Sequence, residues 1–284
     1  MKYLANILLA YASLSFGSAA ADPPAQVTSI ANEGFLIEVG TRKILIDAIF
    51  DDRSIAYAHV PDEETLALMQ ASEAPFDDID LVLVTHSHRD HFSVVPMLEH
   101  LKGSPSGVLI GPPQVVDTLR TVEPEFEDMG ISVREVDLDL FESEDLDAGG
   151  IQVRAIRLRH SAFMETDEET GEQVDRHARV ENLIFLVEFK GLTMLHVGDA
   201  VLSQNPELFE EEGFEKKKID IVFLEFFDWS DETKSILDQW MTPDHVVFMH
   251  LPPDPEKIRQ IEAHLREKFP NAVIFAEPME KKAL

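Results

Sequence analysis

Ile79-Asp80-Leu81-Val82-Leu83-Val84 runs directly into Thr85-His86-Ser87-His88-Arg89-Asp90-His91. The first stretch is almost continuously apolar, the pattern of a strand buried on both faces. The second places three histidines and an aspartate at that strand's exit, where α/β folds put their sites. As core it would be a poor segment, because every buried polar group needs a partner. As a metal cradle it is well formed. In a turn leaving a strand, His86 and His88 project to one side, while Asp90 and His91 curl round to a second point. Neutral imidazole plus carboxylate is a donor set for borderline-soft divalent cations.

Outward from this stretch, short strands alternate with helices. Gly34–Val39 and Lys43–Asp47 read as a hairpin across Gly40-Thr41. Further strands are expected at Gly107–Ile110, Val133–Val136, Ile151–Leu158, Asn182–Phe189, Leu192–Val197, Ile219–Phe226, Val246–Met249 and Ala272–Phe275. Helical spacing is expected over Glu63–Ala74, Val94–Leu101, Pro113–Thr121, Pro206–Glu212, Asp231–Trp240 and Pro255–Lys268. The last carries Ile258, Ile261 and Leu265 on one face, with Asp254 suited to the N-cap and Pro255 to the first turn. A meander followed by crossovers predicts sheets with helices packed outside, a layered α/β architecture.

The 284 residues carry 54 acidic against 24 basic side chains, a net charge of −30. A nucleic-acid groove or an anionic-membrane patch needs clustered Lys and Arg, so both partner classes are disfavoured and a small-molecule substrate is expected. There is no cysteine, which removes disulfides, thiol nucleophiles and Cys-ligated zinc. Two acidic stretches, Glu123–Asp147 and Glu165–Glu172, read as solvated loop or edge surface, since neither has the spacing of a calcium loop. Met1-Lys2, the uncharged run Tyr3–Phe16 and the small residues Gly17–Ala21 read as a cleaved export signal over residues 1–21, too short in its apolar part to span a bilayer. Residues 22–284 are then expected to form a single domain in a bacterial periplasm or the medium. Nothing in the sequence sets an oligomeric state.

His86-x-His88-x-Asp90-His91 resembles the signature of the metallo-β-lactamase-fold hydrolases, and the downstream chain supplies the rest of that pattern in order. His160 ends the strand Val153–Arg159 and resembles the third ligand. Asp199, in Leu195-His196-Val197-Gly198-Asp199, resembles the Gly-Asp that bridges two metals. His250, after Val247-Phe248-Met249, resembles the final ligand, and is preferred to His245 because it ends that strand rather than starting it. The opening Gly34–Asp47 resembles the family's first hairpin, so the likeness runs from Val27 to Ala276. The Arg-His-Ser context of His160 departs from the family's Gly-His-Thr and is similar to the branch of L-ascorbate-6-phosphate lactonase and N-acylphosphatidylethanolamine phospholipase D.

The resemblance implies a four-layer αββα sandwich and two divalent cations, zinc first, manganese or iron(II) next. His86, His88 and His160 would hold one and Asp90, His91 and His250 the other, with Asp199 bridging. Asp47 is expected to orient a ligand histidine. A water shared by two cations deprotonates near neutral pH, so the expected reaction is hydrolysis by a metal-bridging hydroxide, with Asp90 handling the leaving group's proton and Asp199 holding the pair. The absence of Cys and the presence of Asp199 argue against antibiotic hydrolysis, leaving a lactone, a carboxylic ester or a phosphodiester. The alternative is a non-catalytic secreted metal-binding protein that retains the fold. His177, Asn182 and His196 are expected near the pocket, and His59, His100 and His264 on the surface.

Overall fold

The computed structural model describes residues 24–104, 106–209 and 214–284, so the export segment read at 1–21 lies outside the described residues. Three antiparallel strands open it: β1 (Gln26–Ala31), β2 (Gly34–Val39) and β3 (Arg42–Ile46). Then follow α1 (Glu63–Ala71), β4 (Leu81–Leu83), α2 (Val94–Gly103), β5 (Val108–Gly111), α3 (Pro113–Val122) and β6 (Ser132–Glu135). The middle of the chain holds β7 (Ser143–Ala148), β8 (Ile151–Leu158), the hairpin β9 (Met164–Thr166) and β10 (Gln173–Asp175), β11 (Asn182–Phe189) and β12 (Leu192–His196). Last come β13 (Ile221–Glu225), α4 (Asp231–Ile236), β14 (His245–Met249), α5 (Pro255–Lys268), β15 (Ala272–Ile274) and β16 (Lys281–Ala283).

These strands form two seven-stranded sheets, ordered β16-β1-β2-β3-β4-β5-β6 and β15-β14-β13-β12-β11-β8-β7. In each, an antiparallel part passes into a parallel part, from β3 to β6 in the first and from β12 to β15 in the second. Alternation explains the near-continuous apolar runs. Phe35, Ile37, Ile44, Ile46, Leu81 and Leu83 face the core between the sheets. Their neighbours Leu36, Leu45 and Val82 face the opposite way, onto Met69, Met97, Leu101, Val115 and Leu119 of α1, α2 and α3. On the far side, Ile258 and Leu265 of α5 join the inter-sheet core residues of the second sheet. The result is the expected αββα sandwich.

Several elements form where they were read. β8, β11 and α5 occupy the expected residues, and Asp254 caps α5 by accepting from the Glu256 amide at 2.9 Å. Others differ. Asp231–Trp240 is not one α-helix: α4 ends at Ile236 and the chain widens into a π-turn over Leu237–Met241. The helix read at Pro206–Glu212 is a 3-10 turn over Pro206–Phe209, and residues 210–213 lie outside the described residues. β1, β16 and β7 were not read as strands. β7 lies inside the first acidic stretch, as an edge strand whose Asp145 faces Arg154 across the ladder at 2.6 Å. Pairing partners thus override a composition with weak β preference.

Candidate metal centre

The site lies where the parallel strands of both sheets end. His86, His88, Asp90 and His91 occupy the loop from β4 to α2; His160 follows β8, Asp199 follows β12 and His250 follows β14. Asp47, just past β3, holds the first loop in place. It accepts from the Thr85 amide at 2.8 Å and the Thr85 hydroxyl at 2.6 Å, and its Oδ2 lies 3.1 Å from His91 Nδ1. That is the orienting role expected of it. The Ser161 amide donates to the Asp199 carbonyl at 2.7 Å, tying the His160 loop to the Asp199 loop. Gly198 has φ +53°, and a Cβ there would stand 2.7 Å from Asn182 Oδ1 and 2.8 Å from Thr85 Cβ. Only glycine allows the chain to turn Asp199 into the site at this closeness.

His86, His88, His160 and Asp199 offer donor atoms that all lie within 4.8 Å of one another. His160 Nε2 is 3.1 Å from Asp199 Oδ2 and 3.2 Å from His88 Nδ1, and His86 Nε2 is 3.9 Å from Asp199 Oδ2. Two ligands of a tetrahedral cation at bonds of about 2.1 Å stand about 3.4 Å apart, so these spacings suit one. The second expected set is more open. Asp90 Oδ2 is 3.9 Å from His91 Nε2 and 3.7 Å from His250 Nε2, while His91 Nε2 is 3.0 Å from Asp199 Oδ1. That last pair is close but lacks the alignment of a hydrogen bond. His86 Nε2, His91 Nε2 and Asp199 Oδ1 are all buried without a hydrogen-bond partner. Unsatisfied donor atoms of this kind are what bound cations would satisfy, so the residues present fit a metal centre.

Charge is distributed to match. Burial, reinforced by His91, holds His86 well below the usual imidazole range. Burial and then His160 bring His88 down to about 4. Both therefore stay neutral, the form that binds metal. Burial opposes charge on His91 too, but Asp199 and Asp90 outweigh it and raise the ring well above its ordinary value. Burial likewise opposes charge on Asp199, yet His91 and His86 pull its carboxyl well below the usual range, so it remains ionised.

The structure also gathers residues that the sequence reading missed. Glu33, between β1 and β2, and Glu225, at the end of β13, are wholly buried beside the centre. One carboxylate oxygen of each lies within 4.8 Å of the other and of a His250 ring nitrogen. Burial, then Asp199, pushes both carboxyls well above their ordinary range. Tyr57 donates to Asp90 Oδ2 at 3.0 Å and stacks on His250, with ring centroids 5.6 Å apart. Asn32 donates to the same carboxylate oxygen at 3.3 Å. The readable signal was the acid closing a buried parallel strand, Ile221–Glu225, and the acid opening the first hairpin; Tyr57 offered none.

Of the nearby residues, His177 stands at the centre's mouth, its ring 4.2 Å from His160 and 4.9 Å from His88. Asn182 accepts from the Asp199 amide at 3.2 Å, and His196 lies within 3.1 Å of the Glu33 carbonyl. Both support the site's backbone. His264 is exposed as expected, whereas His59 is half-buried. His100 is a correction: it is fully buried between α1 and α2, with Nδ1 2.7 Å from the Met69 carbonyl. One polar face was enough to seat a helix histidine in the core.

Comparison with known proteins agrees with this geometry. Residues 42–267 match the family model of the Beta-lactamase superfamily domain. A metal-dependent hydrolase of Polynucleobacter asymbioticus is 25% identical over 187 residues, 64% of this chain and 61% of that protein, so the match spans less than two thirds of that relative. A metal-dependent hydrolase of Pyrococcus furiosus is 24% identical over 246 residues, 83% of this chain and 91% of its own. The structure of the metallo-β-lactamase-fold protein YhfI of Bacillus subtilis superposes with a TM-score of 0.56 at 13% identity, covering 91% of this chain and 99% of that one. By its strand order, by the convergence of its histidines and Asp199 on one point, and by these matches, the chain belongs to the β-lactamase superfamily domain family, the metallo-β-lactamase-fold hydrolases.

Proposed function

We propose that the protein is an exported dinuclear metal-dependent hydrolase acting on a lactone or carboxylic ester that carries an apolar group. The observation that carries this is the convergence of His86, His88, His160 and Asp199, with buried donor atoms left unpartnered around them. These four would hold one cation, and Asp90, His91 and His250 the other, with Asp199 presenting an oxygen to each side. Two divalent cations, zinc before manganese or iron(II), would supply a shared hydroxide and polarise the scissile carbonyl. Asp90, anchored by Tyr57 and Asn32, is placed to carry the proton to the departing oxygen.

The preference for an apolar-bearing ester comes from the rim. Tyr57 and Phe227 flank His250, and Phe163 lies beside His177; all three aromatics are exposed. Such a rim suits an acyl or ring substituent, and the net charge of −30 disfavours long-range capture of an anionic phosphodiester. Export is supported by the uncharged run Tyr3–Phe16 and the small residues after it.

Hydrolysis of a panel of lactones, esters and phosphodiesters, before and after chelation and with zinc or manganese restored, tests the chemistry. The expected result is metal-dependent turnover of a lactone or ester. A metal-loaded protein inert on the whole panel would point to the non-catalytic alternative. N-terminal sequencing of exported protein should find a start near Asp22, and a chain that still begins at Met1 sinks the export reading.

A further inference from the structure

Glu33 and Glu225 pose a problem that the centre described so far does not solve. Both side chains are 0% exposed, and no hydrogen-bond donor reaches any of their four carboxylate oxygens. Glu33 Oε2 faces His91 Nδ1 at 3.9 Å, but that nitrogen is already committed to Asp47 at 3.1 Å. Bringing a carboxylate into such surroundings is costly even after relaxation, and apolar residues of similar volume would be cheaper. Two of them, facing each other, must hold protons or find a counter-charge.

The geometry supplies a place for one. A carboxylate oxygen from each glutamate and a His250 ring nitrogen lie within 4.8 Å of one another. Three such atoms share a centre no more than about 2.8 Å from each, which small side-chain adjustments bring into the 2.0–2.6 Å range of bound divalent cations. His250 is itself held at φ +58°, a left-handed conformation uncommon for a residue with a Cβ and typical of functional positions.

We infer that Glu33 and Glu225, together with His250, are ligands of the second cation, and that they make its position carboxylate-rich and selective for a hard divalent ion. The inference rests on the dinuclear reading above. The first position is lined by three imidazoles and Asp199, a set that suits zinc. The second has Asp90, Glu33 and Glu225 around His91 and His250, and carboxylate oxygens suit manganese or magnesium better than imidazoles do, so this position takes manganese more readily than the first. The centre is thereby heterometallic: one histidine-rich position and one acid-rich position, with Asp199 between.

The test is metal loading rather than turnover. Metal-free full chain is exposed to Zn²⁺ alone, Mn²⁺ alone and both together. Bound metal is counted by elemental mass spectrometry, and Mn²⁺ is followed by electron paramagnetic resonance. With one equivalent of zinc and an excess of manganese, one zinc and one manganese per chain are expected. Glu33→Gln and Glu225→Gln should each weaken manganese binding at least tenfold and leave the single zinc in place. Should either glutamine variant fail to fold, Glu225→Asp keeps the charge and withdraws the oxygen by one methylene, with the same expected split between the metals. Manganese binding unchanged in the variants, or two zinc ions held equally well with and without the glutamates, would overturn the inference and leave the pair sharing a proton only. Failure of the dinuclear reading looks different: wild-type protein that binds no more than one ion of any kind removes both.

Discussion

On one side of the centre stand His86, His88 and His160 with Asp199; on the other, Asp90, His91 and His250 stand over Glu33 and Glu225. Both sides draw on residues at the ends of strands, but they solve burial oppositely. A buried imidazole sheds its proton and becomes neutral, as His86 and His88 do, so the first side is comfortable before any ion arrives. A buried carboxylate has no such neutral donor form: it must take up a proton or find a cation. The first side is therefore a preformed cradle, and the second a pair of buried acids that hold their protons until a cation replaces them. Affinity on the first side is expected to come from geometry, and on the second from charge.

The largest effect should come from the residue that belongs to both. Asp199→Asn keeps the shape and removes the charge that lies 3.1 Å from His160 and 3.0 Å from His91. Bound metal, measured by elemental mass spectrometry, should fall from about two towards one ion, and turnover by at least about 10²-fold, or about 2.7 kcal/mol of transition-state stabilisation. If both ions and near-wild-type turnover survive, Asp199 is a turn residue and the two sides are not coupled through it.

Removing the ions tests the two sides together. The proposed ligands come from the loop after β4 in one sheet and from the ends of β8, β12 and β14 in the other, so only the folded chain assembles them. At metal a hundredfold above Kd each ion should contribute about 2.7 kcal/mol, so chelating both should lower the thermal midpoint by about 10 °C or more. An unchanged midpoint would mean that the buried acids Glu33 and Glu225 need no ion.

His100 sharpens the comparison from outside, as a buried histidine in neutral surroundings with no acid beside it. Burial, only partly opposed by the Met69 carbonyl, keeps its ring below the ordinary value of 6.5. Above pH 6.5 folded and unfolded chains both carry it neutral. Below that, the unfolded chain takes up a proton that the folded one resists, so stability is lost as pH falls. Replacing His100 by Gln removes this linkage, and the thermal midpoint of the variant should drop less between pH 7 and 5 than that of wild type. Equal slopes would show that His100 titrates normally. This is the smallest of the three effects.

What could be read from the sequence cuts across that line. The candidate ligands of both sides were legible, because His86, His88, Asp90 and His91 are crowded into a polar run at the exit of an apolar strand, and because His160, Asp199 and His250 each stand at the end of another strand. The strands themselves were legible wherever burial on both faces produced unbroken apolar segments, as at Leu81–Leu83 and Ile221–Leu224. Glu33 and Glu225 were not singled out, because a lone acid next to an apolar run reads as a turn unless its neighbours in space are known. β1 and β16 were missed for a related reason. Gln26–Ala31 and Lys281–Ala283 have little periodicity of their own and become strands by pairing with each other and with β2. His100 escaped because helical surroundings do not say which face looks inward.

The pairing of β1 with β16 has a consequence for the order in which the molecule can be completed. Gln26 meets Ala283, so β1, near the start of the described chain, is covered by β16 from its far end. Until β16 docks, β1 presents an unpaired edge, and closing so long a loop carries the full entropic cost of a distant contact. The Leu284 amide also bonds the Ala25 carbonyl at 2.9 Å, fastening the two ends of the described fold together. Before that docking, the edge stays open to other strands. Removing Lys281–Leu284 should slow the last stage of folding, followed by stopped-flow fluorescence, far more than it disturbs the candidate metal site.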